Sequence, residues 1–129
     1  MAFLKQIVID CELPSKLAQF WSAALDDFEI RPYGDEEVAR LAALGFTPET
    51  DPVVIVNGPG IEICFQKVPL EASLDKRRLH LDIASHDLEG EVLRLVDLGA
   101  SQVEKFNGHA WMRDPEGNDF CVTKAEPAQ

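Results

Sequence analysis

Apolar and polar residues alternate without a break through Leu79-His80-Leu81-Asp82-Ile83. A strand with that period carries His80 and Asp82 on one face and its three apolar residues on the other. Two further segments repeat the parity. Ile61-Glu62-Ile63-Cys64-Phe65-Gln66 sends Glu62, Cys64 and Gln66 to one side, and Asp119-Phe120-Cys121-Val122-Thr123 sends Asp119, Cys121 and Thr123 to one side. Alternation is also what any sheet shows when helices cover one face and water the other, so parity alone marks a surface. Its recurrence on three strands leads to a sharper expectation, that Glu62, His80 and Cys121 look into one shared hollow.

The same patterning predicts one supersecondary unit used twice. A strand over 6–11 ends at Leu13-Pro14, and a helix over 15–25 stacks Leu17, Ala18, Trp21, Ala24 and Leu25 at helical spacing. Short strands follow over 28–31, 53–57 and 61–67. In the second half, the strand over 79–83 leads into a helix over 88–98. Its N-cap is Asp87, its buried stripe Leu88, Val92, Leu95 and Val96, and its stop Gly99. Strands over 102–106, 110–113 and 120–124 then complete the repeat. An insert over 32–52 breaks the symmetry with a short helix, acidic at its start and stopped by Gly45, which either lids a cavity or covers a sheet edge. The expected organisation is a single α+β domain over 1–129, with modules at about 1–68 and 76–124. The Pro69-Leu70-Glu71-Ala72-Ser73 stretch reads as the linker, and the residues from Ala125 as a loose tail.

Composition narrows the partners. With 129 residues, 46% of them hydrophobic, the chain can bury a core. Twelve basic against 23 acidic residues leave a net charge of −11, which opposes nucleic acid and anionic membrane surfaces and favours cationic ligands. No apolar run approaches the ~20 residues that span a bilayer. Met1 to Ile9 is too short, and too soon interrupted by Asp10, for a secretory signal. Three cysteines without close pairing do not form a disulfide framework, and the expected setting is the cytoplasm.

Several segments in order resemble the vicinal oxygen chelate superfamily, which includes glyoxalase I, bleomycin-resistance proteins and extradiol dioxygenases. They are Ile9-Asp10-Cys11 through Phe20-Trp21, Cys64-Phe65-Gln66, Arg78-Leu79-His80-Leu81-Asp82, and Trp111 through Asp114-Pro115-Glu116-Gly117-Asn118-Asp119-Phe120-Cys121-Val122. The resemblance implies two paired βαβββ modules whose mixed sheets form a cupped, incomplete barrel around a cavity. It also implies metal ligands from the first and last strands of each module, at Gln6, Glu62, His80 and Cys121, for zinc, nickel, cobalt or manganese. Each has a plainer reading beside it: surface residues for Gln6 and Glu62, a hydrogen-bonded pocket histidine for His80, and an inert thiol for Cys121. In glyoxalase I the position of Cys121 holds a glutamate that binds metal and moves a proton. A thiolate lacks that acid-base behaviour, which argues against authentic glyoxalase I activity.

Other residues complete the expected site. Asp82 stands as a candidate base, or as the partner of a nearby arginine, and Cys64, Gln66, Trp111 and Arg113 as ligand contacts. Trp21 is assigned to packing, Cys11 to the helix side, and His86 and His109 to the surface. Two functions survive: small-molecule binding with metal-assisted lyase or isomerase chemistry, or metal-free sequestration of the bleomycin-resistance type. Families resembling this one commonly pair as homodimers, so a C2 dimer is expected.

Overall fold

The computed structural model describes residues 1–69 and 78–126, so the expected linker beyond Pro69 and the tail beyond Glu126 lie outside the described residues. The described strands are β1 (Phe3–Cys11), β2 (Glu29–Ile30), β3 (Val53–Gly58), β4 (Ile61–Lys67), β5 (Leu79–Ser85), β6 (Ser101–Lys105), β7 (His109–Arg113) and β8 (Asp119–Lys124). The described helices are α1 (Pro14–Ala24), α2 (Asp35–Ala43) and α3 (Leu88–Asp97). Apart from the inserted α2, the order is strand, helix and three strands, twice over, as the patterning predicts. Among the described residues no helix is long and apolar enough to cross a membrane. The chain divides into two compact units: Ile7–Leu79, and Met1–Gln6 with His80–Gln129.

In the unit Ile7–Leu79 the strand order is β2-β3-β4-β1, with antiparallel β2/β3 and β3/β4 ladders. The register pairs Val54 with Phe65 and Val56 with Ile63, so these four share a face. That face packs on Ala18 and Leu17 of α1, together with Cys11 and Ile9 of β1. Helix α1 begins with Pro14 in its first turn, where the missing N–H is not needed. Trp21 departs from the expected packing role. It is 36% exposed and meets Phe20 edge-on, although it follows Pro14 and Ala18 at helical spacing. Helix α2 opens with Asp35, Glu36 and Glu37, which complement its positive end, and Gly45 follows at φ 86°.

In the other unit, the first residues of β1 lead an order β1-β5-β8-β7-β6. Strands β5 and β8 run parallel, pairing Leu81 with Phe120, Asp82 with Cys121 and Ile83 with Val122. Strand β7 runs antiparallel to β8, with Ala110 opposite Val122 and Trp111 opposite Cys121. The apolar parity packs under α3, where Val92 meets Ala110, Met112 and Val122, flanked by Ile83, Leu88 and Leu95. Val96, expected in that stripe, is 43% exposed. Asp87 caps α3 by accepting a hydrogen bond from the Gly90 N–H at 3.0 Å, and Gly99 ends it at φ 117°. The loop between β7 and β8 is held by Asp114, whose Oδ1 accepts from the N–H groups of Glu116 and Asn118, both at 2.9 Å.

Candidate functional site

With the apolar parity turned to α3, the remaining residues of β5, β7 and β8 share the opposite face. The ladder lays Asp82, Cys121 and Trp111 across it in one row. His80 sits two residues before Asp82, and Gln6 of β1 completes the group. Gln6 Nε2 donates to Asp82 Oδ2 at 2.8 Å, and His80 Nε2 lies 3.3 Å from Asp82 Oδ1. One donor atom each from His80, Asp82 and Cys121 falls within 4.8 Å of the others.

Electrostatics in this group follow from burial and these contacts. Burial works against the Asp82 charge, but hydrogen bonds from His80 and Gln6, with the charges of His80 and Lys5, outweigh it and hold the carboxyl below its ordinary range. Cys121 moves the other way. Burial, followed by the negative charges of Asp82 and Asp119, pushes its thiol up to about 11, so it stays protonated at neutral pH unless a cation joins the group.

The donor set suits a borderline divalent metal such as zinc, which takes nitrogen, oxygen and sulfur ligands and leaves a catalytic position open. Tetrahedral zinc with bonds of about 2.0–2.1 Å keeps neighbouring nitrogen and oxygen donors about 3.4 Å apart. The 3.3 Å between His80 Nε2 and Asp82 Oδ1 matches that spacing. A metal would take the place of the proton these two atoms share, and Gln6 would still hold the second oxygen of Asp82.

Beside the group lies a hollow of about 260 Å³ lined by His80, Cys121, Trp111, Asp119, Phe120, Phe106 and His109. Trp111 Nε1 donates to Asp119 Oδ1 at 3.1 Å, and Arg113 Nε donates to the same oxygen at 3.0 Å. The Arg113 guanidinium also lies 5.6 Å from the Trp111 ring centroid, so the indole is fixed by a carboxylate and a cation together. His109 was expected at the surface. It stacks on Phe106 with ring centroids 4.6 Å apart and forms one wall. The signal for it lay in Asn107-Gly108, a two-residue hairpin turn that sets the flanking residues opposite each other; Phe106 N–H donates to His109 O at 2.9 Å and Gly108 has φ 89°.

The other candidates lie in the unit Ile7–Leu79. Glu62 shares the face of β4 opposite α1 with Cys64, and its carboxylate receives the Arg31 guanidinium at 2.6 Å. Arg31 reaches Asn57 Oδ1 as well, at 3.1 Å, so Glu62 is held in an ion pair of its own unit. Cys64 is buried and Gln66 exposed. Asp82, weighed as the partner of an arginine, has His80 and Gln6 instead. Cys11 faces α1 in the core, as expected of a structural cysteine.

A family model described as a glyoxalase-like domain matches residues 6–123. No curated protein matches the sequence. Among solved structures, a hypothetical protein from Bacillus halodurans C-125 is 13% identical with a TM-score of 0.66, covering 99% of this chain and 97% of that one. A variant methylmalonyl-CoA epimerase from Streptomyces coelicolor, in complex with 2-nitronate-propionyl-CoA, is 13% identical with a TM-score of 0.59, covering 96% and 97%. A glyoxalase/bleomycin resistance protein/dioxygenase superfamily member from Vibrio splendidus 12B01 is 13% identical with a TM-score of 0.53, covering 97% and 100%. At these identities the likeness is one of fold.

Proposed function

Because the chain belongs to the glyoxalase-like domain family, we propose that it binds a small organic ligand in the hollow beside His80, with a divalent metal held by His80, Asp82 and Cys121. The observation that carries this reading is the convergence of an imidazole, a carboxylate and a thiol within 4.8 Å at the edge of an aromatic-lined hollow. A metal bound there supplies Lewis acidity toward a ligand with adjacent oxygens, the chemistry of lyases and isomerases.

The residues divide the remaining work. Gln6 fixes the orientation of Asp82 through one oxygen and leaves the other directed at His80. A carboxyl held below its ordinary pKa is a weak proton acceptor at neutral pH, which suits Asp82 to ligation and charge stabilisation more than to proton abstraction. Trp111 and the Phe106–His109 stack offer flat apolar walls, and Arg113 holds the indole edge through Asp119. The size of the hollow and the net charge of −11 favour a compact ligand over a polyanion such as the CoA ester bound by the Streptomyces epimerase.

A metal-free binding module is the second reading, favoured by one observation: both oxygens of Asp82 already have partners within the protein. Elemental analysis of protein purified without chelator, with melting curves in zinc, nickel, cobalt and manganese, separates the two. A metal that binds the native state raises Tm, and the gain disappears in His80→Ala and Cys121→Ala. Protein that carries no metal and shows no shift with any of the four ions removes the metal reading and leaves sequestration.

A further inference from the structure

The larger hollow lies elsewhere, in the unit Ile7–Leu79, and no part of the preceding site uses it. It encloses about 460 Å³ between the inserted helix α2 and strand β3. That volume falls within the ~300–1,000 Å³ typical of small-molecule pockets. Leu41 and Leu44 form the helix side, Ile55 and Val53 the strand side, and Phe46 closes an end. Leu44 is 61% exposed, so this apolar wall is left open to solvent at its rim.

The polar lining holds two cations, Arg31 and Arg40, and two carboxylates, Glu37 and Asp51. Arg31 is committed to Glu62 and Asn57, and Arg40 is held by both oxygens of Glu37, so each cation on the wall already has its counter-ion. Asp51 differs. It is only 5% exposed, and its two oxygens accept from neutral donors, the Tyr33 hydroxyl at 2.8 Å and the Val53 N–H at 2.9 Å. Among the described residues no basic group comes within ion-pair distance of it. Arg40 is near enough for its charge and that of Asp51 to act on each other through space, but its guanidinium is committed to Glu37, so Asp51 has no direct counter-ion in the hollow. Each Asp51 oxygen keeps a second lone pair, and the Tyr33 oxygen, donating its proton to Asp51, can accept in turn.

We propose that this hollow binds a small organic monocation, a primary ammonium on an apolar or aromatic body. The ammonium sits on Asp51 and the Tyr33 oxygen, and the apolar body lies between Leu44, Phe46 and Ile55. An ammonium has three donors to spend on these acceptors and supplies the direct counter-ion that Asp51 lacks among the described residues. The acidic chain adds a favourable long-range field for a cation.

The test uses 2-phenylethylammonium as probe, with 2-phenylethanol and 3-phenylpropionate as neutral and anionic counterparts of similar shape. Titration of the whole chain followed by amide NMR and calorimetry is expected to show millimolar or tighter binding of the ammonium alone, with shifts clustered at Tyr33, Phe46 and Ile55. Asp51→Asn keeps an oxygen for the Val53 N–H, and weakens binding by about tenfold or more as the charge is lost. Leu44→Arg alters an exposed position, so the fold survives it, and it places a built-in cation at the rim that abolishes binding. Equal binding of the alcohol, ammonium binding that persists in Asp51→Asn or Leu44→Arg, shifts clustered around His80 instead, or no binding at millimolar ammonium would each overturn the proposal.

Discussion

Replacing Tyr33 by Phe deletes one oxygen and nothing else, which isolates the hydrogen bond to Asp51. That bond spans 2.8 Å and its acceptor is a buried carboxylate. Hydrogen bonds to charged groups contribute about 1.5–3 kcal/mol, and the remaining donor to Asp51, the Val53 N–H, serves the other oxygen and cannot replace it. With an unfolding entropy of about 2.1 cal/mol/K per residue, a chain of this length loses about 6–11 °C in Tm. The pH dependence gives an independent check. Burial first, then the hydrogen bond and charge of Asp51, raise the Tyr33 pKa above its ordinary value of 10.0. The native state therefore holds the phenolic proton more tightly than the unfolded chain does. The contribution is complete below about pH 10, where both states are protonated, and declines as pH rises above it because the unfolded chain ionises first. Urea unfolding of wild type and Tyr33→Phe from neutral to alkaline pH should show a gap that is flat to about pH 10 and then narrows. A gap below about 0.5 kcal/mol at neutral pH, where an ordinary surface substitution would fall, refutes the reasoning. A gap that stays constant into alkali refutes the linkage.

Three further outcomes test other parts of the fold. A Cβ on Gly58 would lie 2.1 Å from Phe28 Cε2, and Phe28 packs on the core beneath α1, so Gly58→Ala should lower stability by about 1–3 kcal/mol in urea unfolding. Phe65 is fully buried between α1 and the sheet, and Phe65→Ala should cost about 3–5 kcal/mol in the same assay. Asp87→Ala removes the acceptor for the Gly90 N–H and should cost about 0.5–2 kcal/mol, with hydrogen exchange fastest in the first turn of α3.

Face assignments were legible from period two alone. The parity that separates His80 and Asp82 from Leu81 and Ile83 is the parity the β5/β8 ladder displays, and Cys121 joins Asp82 because the register pairs them. Turn and cap chemistry was legible too, at Asp87, Gly99 and the Asp114 loop. Long-range pairing was not. Nothing in the local pattern around Gln6 reveals that its amide meets a carboxylate 76 positions away, or that Arg31 reaches Glu62 and takes it into an ion pair. A strand's alternation states which face a side chain occupies, whereas its partners depend on which strand lies alongside and in what register. The hollow beneath α2 was hidden for the same reason: the insert declares a helix by its acidic start and glycine stop, but not the surface it covers.

The pairing of Glu62 with Arg31 also bears on the choice of metal. A carboxylate engaged by a guanidinium at 2.6 Å must give up that partner before it can ligate, whereas Asp82 offers an oxygen to a histidine nitrogen already at metal-ligand spacing. The proposed donor set, nitrogen, oxygen and sulfur from His80, Asp82 and Cys121, has one soft atom and one hard one. Exchanging the sulfur for a carboxylate, as in Cys121→Asp, would harden the set and shift preference from zinc toward manganese. The same exchange would place a second carboxylate within reach of Asp82, raising the pKa of one of the two unless a cation lies between them. Melting curves should therefore show a larger manganese-dependent gain for Cys121→Asp than for wild type, and a smaller zinc-dependent one. An unchanged order of preference would mean that Cys121 does not touch the metal.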